Sequence, residues 1–162
     1  MKIKLILFLS IIATFISCDK KETEITTPTI PDSNYIIFGH FYGECGGETC
    51  VEIYKLLQNS ILEDNLDRYP TIDGFNTGNY TVLSNEKFLA AQDLMTFFPS
   101  ELLNETNEYI GMPDASDGGG LYIEYSFNGI RKRWFIDQFK QNVPAIYYPF
   151  MDKVNEKISL MQ

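Results

Sequence analysis

The 162 residues suffice for one domain of ordinary size. With 44% hydrophobic against 22% charged residues, the chain has the profile of a globular protein rather than a disordered one, and its 10 Tyr, 12 Phe and 1 Trp can fill a sizeable core. A formal charge of −9 argues against nucleic acid as a partner, because neutralising phosphates takes clustered Lys and Arg; with 1 His and 3 Cys, most metal and nucleophile constellations lack members.

Lys2 and Lys4 precede an apolar run from Leu5 to Ile16 that is broken only by Ser10 and Thr14. At about twelve residues it is too short for a bilayer-spanning helix, which needs roughly 20. It fits the hydrophobic region of a secretory signal. The run ends in Phe15-Ile16-Ser17-Cys18, and Ala13-Thr14-Phe15 offers no competing A-x-A cleavage site. A small residue followed by Cys after such a run resembles the lipobox of bacterial lipoproteins. The resemblance implies a signal peptide over residues 1–17, cleavage before Cys18, a diacylglyceryl group on its thiol and acylation of the new amine. Two acyl chains suffice for stable anchoring, each buried methylene adding about 0.8 kcal/mol. Loss of Lys2 and Lys4 with the leader takes the formal charge from −9 to −11, so lipid rather than a basic patch must hold the membrane.

Residues 18–34 carry Cys18 and then DKKETEITTPTIPDSN, a polar, Thr-rich stretch with Pro28 and Pro31 that reads as a disordered tether. The globular part spans residues 35–162. Tyr35 to Tyr42 is dense in β-branched and aromatic residues and predicts a strand. Val51 to Leu56 alternates and predicts a second, Gln58-Asn59-Ser60 a turn, and Ile61 to Leu66 a third, weaker strand. Asp73 to Asn79 (DGFNTGN) is loop chemistry. Ser84 or Asn85 can cap a helix on which Phe88, Ala91, Met95 and Phe98 recur at helical spacing, and Pro99 ends it by pushing Phe98 out of the α region. Ser100 to Asn104 reads as a further short turn.

Asn128-Gly129 suits a two-residue type I′ hairpin turn, in which both residues need positive φ. That turn sets a register: Phe127 opposes Ile130, Tyr125 Lys132, Ile123 Trp134 and Leu121 Ile136 on one face. Tyr122 then opposes Phe135, Glu124 Arg133 and Ser126 Arg131 on the other. The Glu–Arg pair is a favourable cross-strand neighbour. Pro149 opens a last helix with an apolar stripe of Phe150, Val154, Ile158 and Met161. The order predicts an α+β fold: an antiparallel sheet with both helices on one face, one wet side, and a hairpin–helix arrangement occurring twice.

The chemistry-bearing segment is His40 to Cys50 (HFYGECGGETC), which holds the single His and both remaining Cys. With Cys18 lipidated, Cys45 and Cys50 form an even pair in an oxidising compartment, and Gly46-Gly47 allow the tight turn that a bridge between them requires. Three other readings stay open: metal ligation by His40, Glu44, Cys45, Glu48 and Cys50, thiol redox chemistry, or a Cys nucleophile with His40 as base. Asp114 and Asp117, ahead of Gly118-Gly119-Gly120, suggest a cation loop, though without EF-hand spacing; the plainer reading is a flexible turn, and a backbone anion nest is a third. Arg131 and Arg133 could form a contact surface for an acidic partner, or could simply be solvated on the wet strand face. From Tyr35 to Gly129 there are three basic and fifteen acidic residues; from Ile130 to the end, six basic and three acidic. No phosphate-cradling Gly loop, Ser-His-Asp set or glycosidase-like carboxylate pair stands out.

FISC, the DKKE that follows it, and the segments FYGECGGETCVEIYKL and DGGGLYIEY…IDQ together resemble small uncharacterised lipoproteins of Bacteroidota-type bacteria. The resemblance implies a compact α+β domain on a lipid anchor and no particular activity. The expectation is therefore an envelope lipoprotein at the outer membrane, non-enzymatic and cofactor-free, that binds an envelope protein or an extracellular ligand. The alternative is a thiol- or metal-dependent enzyme centred on His40, Cys45 and Cys50.

Overall fold

The computed structural model describes residues 34–162, save for the side chain of Glu48. The leader, Cys18 and the tether up to residue 33 lie outside the described residues. Seven strands form one sheet: β1 (Tyr35–Phe41), β2 (Val51–Leu56), β3 (Ile61–Asp64), β4 (Tyr80–Val82), β5 (Tyr109–Ile110), β6 (Gly120–Phe127) and β7 (Ile130–Asp137). Their spatial order is β4-β3-β2-β1-β6-β7-β5, antiparallel throughout except where β5 joins β7. Two helices, α1 (Asn85–Ala91) and α2 (Tyr148–Met161), complete an α+β fold. Among the described residues no helix is long and apolar enough to cross a membrane.

The β6–β7 hairpin has the register that its turn dictates, with Phe127 opposite Ile130 and Leu121 opposite Ile136. Asn128 and Gly129 take φ of 52° and 82°, as a type I′ turn demands. β1 lies between β2 and β6, so both its edges are paired. Gly39 at its centre is there for lack of room: a Cβ would run into the Glu52 carbonyl of β2.

One face of the sheet carries the larger core. Ile36, Phe38, Tyr54, Ile123, Trp134 and Ile136 pack against Ala91 and Leu94 and against α2. The expected stripe of Phe150, Val154, Ile158 and Met161 is buried there in full. Ser84 caps α1, its Oγ accepting from Lys87 N at 3.3 Å. The single helix expected as far as Phe98 is instead α1 followed by a 3-10 turn at Leu94–Phe97. Lys157, buried on α2, reaches the Ala90 carbonyl (2.5 Å) and Asp93 (2.6 Å) where α1 ends, which ties the two helices together.

The expected wet side of the sheet is not wet. Tyr35, Ile37, Phe41, Val51, Ile53, Tyr122 and Phe135 form a second buried cluster on that face. The reason lies in β1, which is apolar on both faces and so reads as a continuous run rather than an alternation; such strands are covered on both sides. The cover is the β3–β4 connection, residues 65–79. It reorders the charges as well. Glu124 and Arg133 are opposite in register, but Glu124 pairs diagonally with Arg131 (2.7 Å) and Arg133 pairs with Glu108 (3.0 Å).

Candidate functional site

The 65–79 connection has no regular structure of its own and is held across the sheet by interior polar groups. Asp64, at the end of β3, is 2% exposed. Its Oδ1 accepts from Leu66 N (3.1 Å) and Asn79 N (2.8 Å), which draws the two ends of the loop together in the manner of an Ω-loop. Asn65 N reinforces the closure by donating to the Asn79 carbonyl at 3.0 Å. Asn76 staples the middle. Its side-chain oxygen accepts from Gly78 N and from the Tyr80 hydroxyl, both at 2.7 Å, and its backbone N–H points at the Tyr122 hydroxyl (3.2 Å) and Glu124 Oε2 (3.1 Å). The guanidinium of Arg133 donates to the carbonyls of Thr71 and Ile72. Phe75 sits with the Arg131 guanidinium 3.9 Å from its ring centroid, a cation–π contact.

Glu124 is the hub beneath this loop, with its side chain fully buried. Oε1 accepts from the Tyr35 hydroxyl (2.6 Å) and from Arg131 Nε and Nη2 (2.9 and 2.7 Å); Oε2 accepts from the Tyr122 hydroxyl (2.9 Å). A buried carboxylate is tolerable only with its lone pairs filled in this way. Burial works to lower the pKa of Arg131, but the hydrogen bond and charge of Glu124 outweigh it and hold the guanidinium above its ordinary value. Burial, and then the hydrogen bond to Glu124, push the Tyr35 hydroxyl up to about 12.

Between the loop and the sheet lies a cleft of about 190 Å³, lined by Arg68, Tyr69, Phe75, Asn76 and Tyr122 among others. Its walls are fixed from outside. The Tyr69 ring packs edge-on against Phe41, 5.1 Å between centroids, and its hydroxyl donates to Asp114 Oδ2 at 2.8 Å.

The residues singled out in the sequence fall as follows. Cys45 and Cys50 lie at disulfide distance, with Cα atoms 5.6 Å apart. His40 is committed beside them: Nε2 donates to the Thr49 carbonyl at 3.0 Å, and its ring packs edge-on against Tyr42. Glu44 is exposed. Asp114 accepts from Gly43 N through Oδ2 (2.9 Å) and from Gly119 N through Oδ1 (3.1 Å). It thereby joins the Gly-rich loop, the cysteine loop and Tyr69, while Asp117 stays exposed. Among the described residues no group of three or more His, Cys, Asp or Glu is placed to hold a metal ion. Arg131 keeps 43% of its side chain exposed, but Arg133 only 7%, because Arg133 is built into the loop anchor. Arg68, Tyr69, Asn76 and the hub role of Glu124 are absent from the sequence reading. The signal that could have found them is the two-sided apolar β1, which requires something to cover its second face. Comparison with known proteins finds no matching family model, no matching curated protein and no matching solved structure.

A bridge five residues apart in sequence closes a small ring, worth about 2 kcal/mol of chain entropy. Replacing Cys45 and Cys50 together by Ser is expected to lower the unfolding free energy by about that amount in urea. Protein isolated without reductant is expected to take up no alkylating agent at either position until it is reduced. Uptake at both positions under native, non-reducing conditions would return the thiol readings to contention.

Proposed function

We propose that this chain is an envelope lipoprotein, anchored at the outer membrane through acylated Cys18, whose folded domain binds a ligand. The observation that carries the binding reading is the 65–79 loop, fastened over the sheet by a buried carboxylate, two arginines and Asn76 while leaving a cleft beneath it. Loops positioned on a rigid scaffold, with convergent polar groups around a concavity, are where recognition is usually built. The anchor rests on the FISC junction after the apolar leader, and kinship with Bacteroidota-type lipoproteins on that junction together with DKKE. The same reading takes β2–β3 with α1, and β6–β7 with α2, as two occurrences of one hairpin–helix unit, although β4 stands between β3 and α1.

The anchor is tested in a bacterial host fed labelled palmitate. Label is expected in the wild-type chain and in the outer-membrane fraction, and Cys18→Ala is expected to abolish the label and halt leader cleavage. A chain found unlabelled in the cytoplasm with its leader intact overturns the proposal.

A further inference from the structure

We infer that the cleft under residues 65–79 takes a small, flat carboxylate, with Arg68 as the group that holds the anion. This deepens the binding reading above and rests on it. Arg68 is one of three cations among the fifteen acidic residues from Tyr35 to Gly129. The other two are occupied: Lys55 lies 4.3 Å from the Tyr35 ring centroid, and Lys87 donates to the Leu160 carbonyl at 2.6 Å. Arg68 is exposed at the cleft and has no ion-pair partner among the described residues. Asp64, the buried carboxylate that also lines the cleft, takes Leu66 N and Asn79 N on Oδ1 and Asn76 Nδ2 on Oδ2 (3.4 Å), and it makes no ion pair with Arg68. A guanidinium fork held free in so acidic a domain is matched to a carboxylate from outside.

Size and walls define the rest of the ligand. A cleft of about 190 Å³ is smaller than the usual drug-sized pocket of roughly 300–1,000 Å³ and equals the share of about six waters. That suits a body on the order of ten non-hydrogen atoms. Leu66, Pro70 and the rings of Tyr69 and Phe75 line it, and both rings are held by contacts outside the cleft, so little ordering is left to pay at binding. Aromatic walls favour a planar body that can stack or meet them edge-on.

The test uses three probes on the full chain: benzoate, its neutral counterpart benzamide, and acetate, which has the charge without the ring. Binding is followed by ligand-observed NMR titration of wild type, Arg68→Gln and Gly74→Trp. Gly74 lines the cleft, and a Cβ there meets nothing within 4 Å, so the backbone accepts a side chain at this position, and a bulky one is placed to obstruct the cleft. Arg68 is exposed, so Arg68→Gln is expected to unfold like wild type on heating. The expected result is benzoate bound about tenfold or more tighter than benzamide or acetate, the preference lost in Arg68→Gln, and binding abolished in Gly74→Trp. Benzamide bound as tightly as benzoate, or a benzoate affinity indifferent to Arg68→Gln, overturns the carboxylate assignment and leaves the binding domain standing if Gly74→Trp still blocks it. No transfer to any probe, or transfer unaffected by Gly74→Trp, removes the cleft as a site and the binding reading with it.

Discussion

Raising the pH from 10 to 12 is expected to unfold the domain in one cooperative step, with tyrosinate absorbance appearing as the near-ultraviolet dichroism of Trp134 is lost. Six of the ten tyrosines are held above the ordinary phenol value, in each case first by burial. Tyr35 and Tyr69 are pushed up to about 12, and Tyr54, Tyr80, Tyr122 and Tyr147 further. Nearby carboxylates add to it: Tyr35 and Tyr122 donate to Glu124, Tyr54 to Glu52, Tyr69 to Asp114 and Tyr147 to Glu105. Below pH 10 the folded and unfolded chains hold these protons alike, and the stabilisation is complete. Above it the unfolded chain releases protons that the fold keeps, so stability falls as pH rises towards the folded values. Four of the six, Tyr35, Tyr54, Tyr122 and Tyr147, are buried. At roughly 1.4 kcal/mol per pH unit for each, they give a slope of about 5 kcal/mol per unit. Two units of that remove about 10 kcal/mol, the middle of the range of about 5–15 kcal/mol by which domains are ordinarily stable. Gradual ionisation of all ten tyrosines near pH 10 with native dichroism retained would refute the assignment of these hydroxyls to buried donors.

Glu124→Ala is expected to cost about 3–5 kcal/mol in urea denaturation, because it leaves a half-buried guanidinium without its partner. It also strands the hydroxyls of Tyr35 and Tyr122, which donate to Glu124, and leaves the N–H of Asn76 with the Tyr122 hydroxyl as its one remaining acceptor. Each unsatisfied interior group adds to the loss. Glu124→Gln keeps the volume and one acceptor oxygen, so its cost is expected nearer to about 2 kcal/mol. The two variants should also differ in where a protease cuts. With Glu124→Ala the 65–79 loop loses its central attachment and is expected to be nicked first, while the strands stay intact. A Glu124→Ala protein within about 1 kcal/mol of wild type would show that Arg131 and the tyrosines find water instead.

The β6–β7 hairpin was readable because its information is local: Asn128-Gly129 sets the turn, and the turn sets every pair up to Leu121–Ile136. α2 was readable for the same reason, a stripe of four apolar residues after Pro149. β5 was not. It contributes two residues, and its parallel partner β7 lies more than twenty residues along, so no local pattern marks it. β4 escaped in the same way, three residues between a loop and a helix cap. The cysteine pair was legible from counting, and the structure places it at bonding distance. The cleft was hidden for a different reason. DGFNTGN announces a loop through its turn residues, but where a loop lies depends on side chains far away in sequence: Asp64 at one end, Glu124 and Arg133 beyond. Arg131 and Arg133 illustrate this most sharply. Alternation places both on one strand face, but only the path of the 65–79 loop determines that one is half-exposed and the other buried.

The outermost strands of the sheet are stubs, three residues in β4 and two in β5, against seven and eight in β1 and β6. A rim this short gives a neighbouring molecule almost no backbone row on which to template itself. Copies that meet side by side can therefore collide repeatedly without zipping into fibrils.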